Sequence, residues 1–413
     1  MPYFFTKTMN QMKYDILVAG GGPAGLSAAF TAAKSGAKVA VFEKSKEIGY
    51  PVHTSGGSWI NELRKLDIPD RFMHPIHEGV FVSPKEQATF RFETPPSCIL
   101  DIRGLYQYLA EIASAEGTEI IVDSTVVEPK YKTNKISGLK VRNKAGEYLF
   151  EAPLVIDASG AASVIARKVG LSNGFSKLGI GAEYDLFAPH WPQNKVAFIF
   201  GNQVAPAGYA WIFPHPDHRI RLGVGVVNSE NKIDPRRYLD KLLKDASLFK
   251  HELSQVSQIE YHTGLIPGEI YLKKTATDGV LVVGDAGGLV STLLGEGIRF
   301  AIDIGRMAGE VAGEAVQKKR FEARFLSKYE ALWKKKYKRI FQIGELINKR
   351  LVSYSDEQWD ARIKVLAKLD SALIPNLLKG EYSLKLLLRL SHSVPGFFRK
   401  TASTALKSIL KNT

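Results

Sequence analysis

The feature that most constrains this chain is a glycine-spaced turn set between two short apolar runs near its start. Ile16 to Ala19 form a run of strand length, and Gly20, Gly22 and Gly25 follow at once as G-x-G-x-x-G, with Ala24 inside the turn. Leu26 to Lys34 continue with small residues at helical spacing, Val39 to Phe42 make a second apolar run, and Glu43 ends it. This is the pattern of one βαβ unit with an acid at its far tip. Gly20 allows the tight turn, Gly22 lets backbone approach a pyrophosphate, and Gly25 lets the helix pack close to the strand. Free N–H groups at the helix start, with the helix dipole behind them, attract phosphate. Glu43 falls 18 residues after Gly25, near the ~20-residue spacing at which a carboxylate meets ribose hydroxyls. An acid there also repels a 2′-phosphate. Gly20, Gly22, Ala24, Gly25 and Glu43 are therefore expected to hold a dinucleotide, and the motif alone does not separate FAD from NAD.

A chain of 413 residues can bury a large core and is long enough for two or three domains. A hydrophobic share of 45% and a charged share of 24% are those of an ordinary globular protein. The single cysteine, Cys98, excludes intramolecular disulfides and points to a reducing, cytoplasmic setting. His74-x-x-His77 lacks further ligands, so no metal is expected. Charge is uneven: residues 311–413 hold 22 Lys and Arg against 9 Asp and Glu. Such asymmetry suggests an anionic partner surface. No apolar run reaches the ~18–20 residues of a spanning helix, and Met1 to Gln11 reads as a loose extension rather than a signal peptide.

Further along, Lys44 to Ile60 is loop-like, Asn61 to Phe72 reads as a short helix, and Val80 to Phe92 alternates like a strand. Asp101 to Glu116 is helical, and Glu119 to Val127, Lys135 to Val141 and Tyr148 to Ile156 read as strands. Residues 177–260 alternate like antiparallel strands, interrupted by a helix over Asp234 to Leu248. An apolar strand returns over Gly279 to Gly284, a helix begins near Gly297, and the rest is helical, with Phe325, Tyr329, Leu332 and Trp333 on one face. The expected fold is α/β: a Rossmann-like βαβ domain over residues 13–75, 100–165 and 265–320, an inserted antiparallel β-sheet substrate domain over 76–99 and 166–264, and a basic helical region over 321–413.

Three separated segments have one explanation. The Gly20–Gly25 turn, the Asp157-Ala-Ser-Gly160 turn and Val283-Gly-Asp285-Ala-Gly-Gly, with Gly295-Glu-Gly297 behind it, resemble the FAD-dependent oxidoreductases of the para-hydroxybenzoate hydroxylase class. The resemblance implies FAD, with Asp285 on the ribityl hydroxyls and the N–H groups around Gly297 and Ile298 at the flavin pyrimidine edge. It implies Arg103 beside the cofactor too. Positive dipole at a helix start stabilises the reduced, anionic ring. Within that class, Tyr209-Ala-Trp211-Ile-Phe213-Pro214 resembles the Y-x-W-x-F-P signature of the geranylgeranyl reductase family, which saturates C=C bonds of prenyl chains. Period-2 spacing puts Tyr209, Trp211 and Phe213 on one strand face. Such a wall suits an isoprenoid chain, which binds by buried area at ~25 cal/mol per Å2.

The family often carries a cysteine followed by glycines in the loop after the ribose acid. Here that loop reads Pro51-Val-His-Thr-Ser-Gly-Gly57, and Cys98 reads as a buried apolar residue. An unconjugated alkene has no electron sink, so a proton must accompany the hydride. His53 is the candidate relay, while the aromatic faces of Tyr209 and Trp211 would stabilise developing cationic charge. Tyr209, Trp211, Phe213 and Pro214 are the expected substrate contacts. Gly179-x-Gly181 and Gly223-x-Gly225 lack a third glycine and a helix, so the reductant, NAD(P)H or a ferredoxin-like donor, must dock transiently. Lys334 to Lys336, Lys338 and Arg339 among Trp333, Tyr337, Ile340 and Phe341, with the amphipathic end Pro395 to Lys411, suggest peripheral contact with an anionic membrane face. No nucleic-acid motif accompanies the charge. Two other functions fit the flavin class: an aromatic monooxygenase or halogenase, and a flavoprotein relaying electrons to quinone or a protein partner.

Overall fold

A computed structural model of the chain describes residues 13–228, 233–245 and 248–381. The strand Ile16–Ala19 runs through Gly20 into the helix Pro23–Lys34, and Val39–Phe42 returns parallel beside it. Pro23 suits the first helical position, where its missing N–H has no intrahelical acceptor anyway. Six strands form the sheet in the order Ala276–Thr277, Val280–Val282, Leu154–Asp157, Ile16–Ala19, Val39–Phe42, Glu119–Ile121. All its pairings are parallel except the first. Every residue of Ile16–Ala19, Val39–Phe42 and Leu154–Asp157 is buried, as a parallel sheet covered on both faces requires.

The long helix Ile298–Lys318 crosses the helix Pro23–Lys34 at backbone distance. A Cβ added at Gly305 or Gly309 would lie 2.4 Å from the carbonyl oxygen of Ala24 or Ala28, and one at Gly313 would lie 2.0 Å from Ser35 Oγ. This four-residue glycine repeat brings the segment Asp285–Ile298 against the first glycine turn.

A second, seven-stranded sheet stands over the first: Ser257–Pro267, Leu178–Phe187, Arg219–Asn228, Gly208–His215, Lys195–Ile199, Glu78–Val82, Gln87–Arg91. It is antiparallel except for one parallel pair, Lys195–Ile199 with Glu78–Val82. Two small antiparallel sheets complete the strands, one of Gly57–Trp59, Ser97–Leu100 and Met73–Ile76 and one of Thr125–Lys132, Lys135–Asn143 and Gly146–Glu151.

Several expected elements differ in extent. Tyr148 to Ile156 is not one strand but two in different sheets, Gly146–Glu151 and Leu154–Asp157. Pro153, which has no N–H for a ladder, separates them. The run from Glu119 likewise splits, at Asp123, whose φ of 51° turns the chain. The helix expected over Asn61 to Phe72 covers only Ile60–Arg64, the chain turns at Asp67 with a φ of 54°, and one 3-10 turn follows at Asp70–Phe72 after Pro69. Val80 to Phe92 is a hairpin of two strands, Glu78–Val82 and Gln87–Arg91.

Leu332 leaves the apolar face it was expected to share. The helix breaks at Ser327 and restarts as Lys328–Leu351, so Tyr329, Trp333, Tyr337 and Phe341 turn inward while Leu332 is 41% exposed. Trp333, Tyr337 and Phe341 are core residues around Tyr271 and Phe300, and Lys336 pairs with Asp303. The expected membrane face is thereby reduced, at this stretch, to its lysines. The other part of that expectation, Pro395 to Lys411, lies outside the described residues. Among the described residues no helix is long and apolar enough to cross a membrane, and no group of side chains could hold a metal ion. His74 and His77 each bind a backbone carbonyl, of Gln193 and Phe92.

Candidate active site

Between the two sheets and the C-terminal helices lies a cavity of about 910 Å3, at the upper end of the ~300–1,000 Å3 usual for ligand sites. Gly22, Ala24, Asp285 and Gly295 to Ile298 line it on one side, His53 to Trp59 border it, and Tyr209, Trp211 and Phe213 form a wall. The first glycine turn is shaped for this. A Cβ at Gly20 would lie 2.2 Å from the Ala158 carbonyl oxygen and one at Gly25 2.1 Å from that of Gly20, whereas a Cβ at Gly22 would meet nothing within 4 Å. Gly20 and Gly25 thus close the turn, and Gly22 leaves room above it.

Glu43, at the tip of its strand, accepts from the N–H of Gly21 and of Ser45, both at 2.8 Å. Asp157 is a structural cap: it accepts from Ser159 Oγ at 2.6 Å and from the N–H of Ile165 at 2.9 Å, with burial pushing its pKa up.

Asp285 is different. Its carboxylate accepts no hydrogen bond among the described residues and opens into the cavity, and desolvation raises its pKa to about 6. An unpartnered, half-buried acceptor facing a cavity calls for donors, and ribityl hydroxyls would supply them. Gly297 and Ile298 begin the long helix, whose first N–H groups and positive dipole end lie on the same side. An open glycine turn, an unpartnered carboxylate and a helix start therefore fit an extended dinucleotide, and FAD would lie across them.

The aromatic wall is built by register. Tyr209, Trp211 and Phe213 alternate along Gly208–His215, and Phe198 of the next strand joins them, its ring 5.5 Å from Phe213 and 5.8 Å from Tyr209. Tyr209 Oη donates to the carbonyl of Leu294 at 2.7 Å, tying the wall to the Gly295–Ile298 turn, and burial raises its pKa. The indole of Trp211 crosses Gly223 of the neighbouring strand, where a Cβ would lie 2.3 Å from its ring atoms. Gly181 and Gly225 flank the same ring. The paired glycines of both strands thus floor the indole.

Two expected contacts fall elsewhere. Pro214 points to the opposite face of its strand from Phe213 and does not line the cavity. Arg103 does not line it either: its side chain is 57% exposed and pairs with Glu47. His53 does line the cavity, exposed, with Nδ1 bound to the Thr263 carbonyl at 2.9 Å.

Other residues of the site carry no motif. Glu183 Oε2 accepts from Trp211 Nε1 at 2.7 Å, while its Oε1 lies 3.8 Å from His262 Nε2 and 3.9 Å from Arg221 Nε, all buried. Arg221 donates to the Ser55 carbonyl at 3.0 Å and His262 Nδ1 to that of Val52 at 3.0 Å. This cluster clamps the His53 loop onto the sheet. Glu296, between Gly295 and Gly297, is buried, accepting from Trp59 Nε1 at 3.1 Å and Arg299 Nε at 2.7 Å. Burial raises its pKa. Cys98 is fully buried beside Ser58, in the cavity wall, with its thiol pKa pushed up by burial. The C-terminal helices supply a whole wall, including Ile343, Leu346, Leu351, Leu366 and Leu378.

Residues 15–172 match a family model of FAD dependent oxidoreductases, and residues 179–266 one of the geranylgeranyl reductase catalytic domain. A digeranylgeranylglycerophospholipid reductase of Methanothermobacter thermautotrophicus is 33% identical over 374 residues, covering 89% of this chain and 95% of its own. The chain belongs to the geranylgeranyl reductase family. A second such relative, from Methanocaldococcus jannaschii, is 33% identical over 86% of this chain and 91% of its own. A geranylgeranyl bacteriochlorophyll reductase-like protein of Thermoplasma acidophilum superposes with a TM-score of 0.83 at 25% identity, over 95% of this chain and 99% of its own. A flavin-dependent brominase, at 15% identity and a TM-score of 0.70, covering 94% of this chain and 100% of its own, shares the fold alone. This geranylgeranyl reductase family member is an FAD-dependent oxidoreductase.

Proposed function

We propose that the chain saturates C=C bonds of geranylgeranyl chains carried on a membrane glycerophospholipid, with the isoprenoid held against Tyr209, Trp211, Phe213 and Phe198. The single observation that carries this reading is one continuous apolar cavity running from Gly22 and Asp285 to Leu377 and Leu378. Between those two ends the wall is largely aromatic and aliphatic, as suits a prenyl chain rather than a polar aromatic. Bound FAD supplies hydride once reduced.

The chain's own residues do the rest. Gly22, Ala24, Asp285, Gly297 and Ile298 position the cofactor, and Glu43 holds the turn that receives the pyrophosphate. Aromatic faces exclude water and favour positive charge developing on the alkene carbon. His53, at the cavity edge and in reach of solvent, relays the proton. No second glycine-rich dinucleotide turn is found among the described residues, so NAD(P)H or a ferredoxin-like donor delivers electrons by transient docking. Work at the inner membrane face, reached through the basic C-terminal region, fits a lipid substrate.

The deciding experiment incubates dithionite-reduced protein with a digeranylgeranylglycerophospholipid and weighs the product. Gains of two mass units per double bond are expected. Unchanged lipid mass, with peroxide released when an aromatic substrate stimulates NADPH oxidation, would transfer the chain to the monooxygenase reading. Redox cycling with quinone alone would transfer it to electron relay.

A further inference from the structure

The charged residues that line the cavity are segregated by sign. Its carboxylates are Glu183, Asp285 and Glu296, all on the sheet and dinucleotide side. Its lysines and arginines are Lys349, Arg350 and Arg362, all on the C-terminal helices. Lys349 and Arg350 are exposed while lining the cavity, so they stand at its mouth, on the last turn of the helix Lys328–Leu351. Leu346, one helical turn before Arg350 and on the same face, is also exposed, at 45%. The wall therefore passes from apolar to cationic within one turn.

We propose that this mouth is a phosphate site: Arg350 and Lys349, with Arg362 lining the same cavity, receive the phosphate of the substrate's head group and so orient the prenyl chain tail-first towards Asp285. The assignment rests on the prenyl reductase reading above. Three observations support it. The guanidinium of Arg350 has no ion pair among the described residues, and a planar fork of donors matches phosphate. Lys349 pairs with Glu345 at 2.8 Å, which leaves Arg350 the principal donor, while Asp356 accepts from the N–H of Asn202, and Asp360 from Ser83 Oγ and the N–H of Lys85. Finally, Asp285, the one cavity carboxylate that accepts no hydrogen bond among the described residues, disfavours an amphiphile entering head-first. The ordinary role of basic residues in a last helical turn is to meet the helix dipole. That role does not require them to line the cavity.

The test compares three substrates in the FAD-loaded protein: digeranylgeranylglyceryl phosphate, geranylgeranyl diphosphate, and uncharged digeranylgeranylglycerol. In the K349Q/R350Q variant, kcat/KM for the phosphate-bearing substrates is expected to fall about tenfold or more relative to that for the neutral one, equivalent to one or two charge-assisted hydrogen bonds. Raising salt should weaken phosphate substrates in the parent and not in the variant. A fall confined to the lipid phosphate assigns the site to the lipid head, and a fall confined to the diphosphate assigns it to a prenyl diphosphate. Arg350→Lys should recover part of the preference if charge is what matters. Equal changes on charged and neutral substrates, or none on either, would overturn the phosphate site while leaving the reductase reading intact. A parent protein that reduces none of the three would instead remove the reductase reading.

Discussion

The indole of Trp211 lies directly across the backbone of Gly223, with ring atoms Cε2 and Cζ2 each 2.3 Å from where a Cβ would stand. The indole N–H then reaches Glu183 at 2.7 Å. A flat ring, a bare strand beneath it and a buried carboxylate at its edge fix one face of the cavity. The Y-x-W-x-F-P strand is therefore only half of the device. The other half is written in a glycine pair on a neighbouring strand.

Gly223→Ala follows from this geometry. The methyl cannot coexist with the indole, so Trp211 must tilt and lose Glu183. Overpacking of this kind costs ~1–3 kcal/mol. The variant should melt lower, show altered tryptophan fluorescence, and turn over prenyl substrate at least roughly tenfold more slowly. Parent-like turnover and emission would show that the indole's seat is unimportant.

Glu183→Gln keeps size and removes charge. Arg221 and His262, both buried, lose the carboxylate they share, although Arg221 keeps Asp185 at 4.0 Å, and the loss is expected to cost ~1–3 kcal/mol. Because those two residues hold the carbonyls of Ser55 and Val52, loosening should spread to the His53 loop. Hydrogen exchange at residues 52–57 should accelerate while flavin absorbance stays. Unchanged exchange would separate the cluster from the loop.

These relationships also mark what the sequence makes legible. Gly20 and Gly25 are readable because the turn admits glycine and little else at those two positions, whereas Asp285 is singled out only by the resemblance to the flavin class. Tyr209, Trp211 and Phe213 are readable because a strand alternates. Glu183, Arg221 and His262 come from three strands and meet only through the register of the seven-stranded sheet, which no local pattern encodes. Glu296 looks like a surface acid until Trp59 and Arg299 close around it. The helices after Lys328 show amphipathic spacing but not which apolar surface they cover, so Leu346 and Leu378 carry no sign that they wall a cavity. Pro153, by contrast, is a break that composition does announce.

Asp285 gives a pH dependence with a definite sign. Its pKa of about 6 stands above the ordinary 3.8, so between those values the folded chain keeps a proton that the unfolded chain has released. Its contribution to stability is therefore greatest below pH 3.8 and falls as pH rises towards about 6, by at most ~3 kcal/mol. Urea unfolding of the apoprotein from pH 4 to 7.5 should show Asp285→Asn gaining on the parent as pH rises. A constant difference between the two would mean that the carboxylate is not desolvated. The same variant should bind FAD more weakly, having traded an ionised acceptor for an amide.

Tyr209→Phe isolates one hydrogen bond. The ring remains to pack against Phe198 and Trp211, but the 2.7 Å bond from Oη to the Leu294 carbonyl is lost. A half-buried hydrogen bond of this kind contributes roughly 0.5–1.5 kcal/mol. Because Leu294 precedes Gly295 and the start of the long helix, that cost should be felt at the cofactor as about a two- to tenfold weaker FAD affinity. Titration of apoprotein with FAD, followed by flavin fluorescence, measures it directly. An affinity equal to the parent's would mean that the wall and the Gly295–Ile298 turn are held together by packing alone.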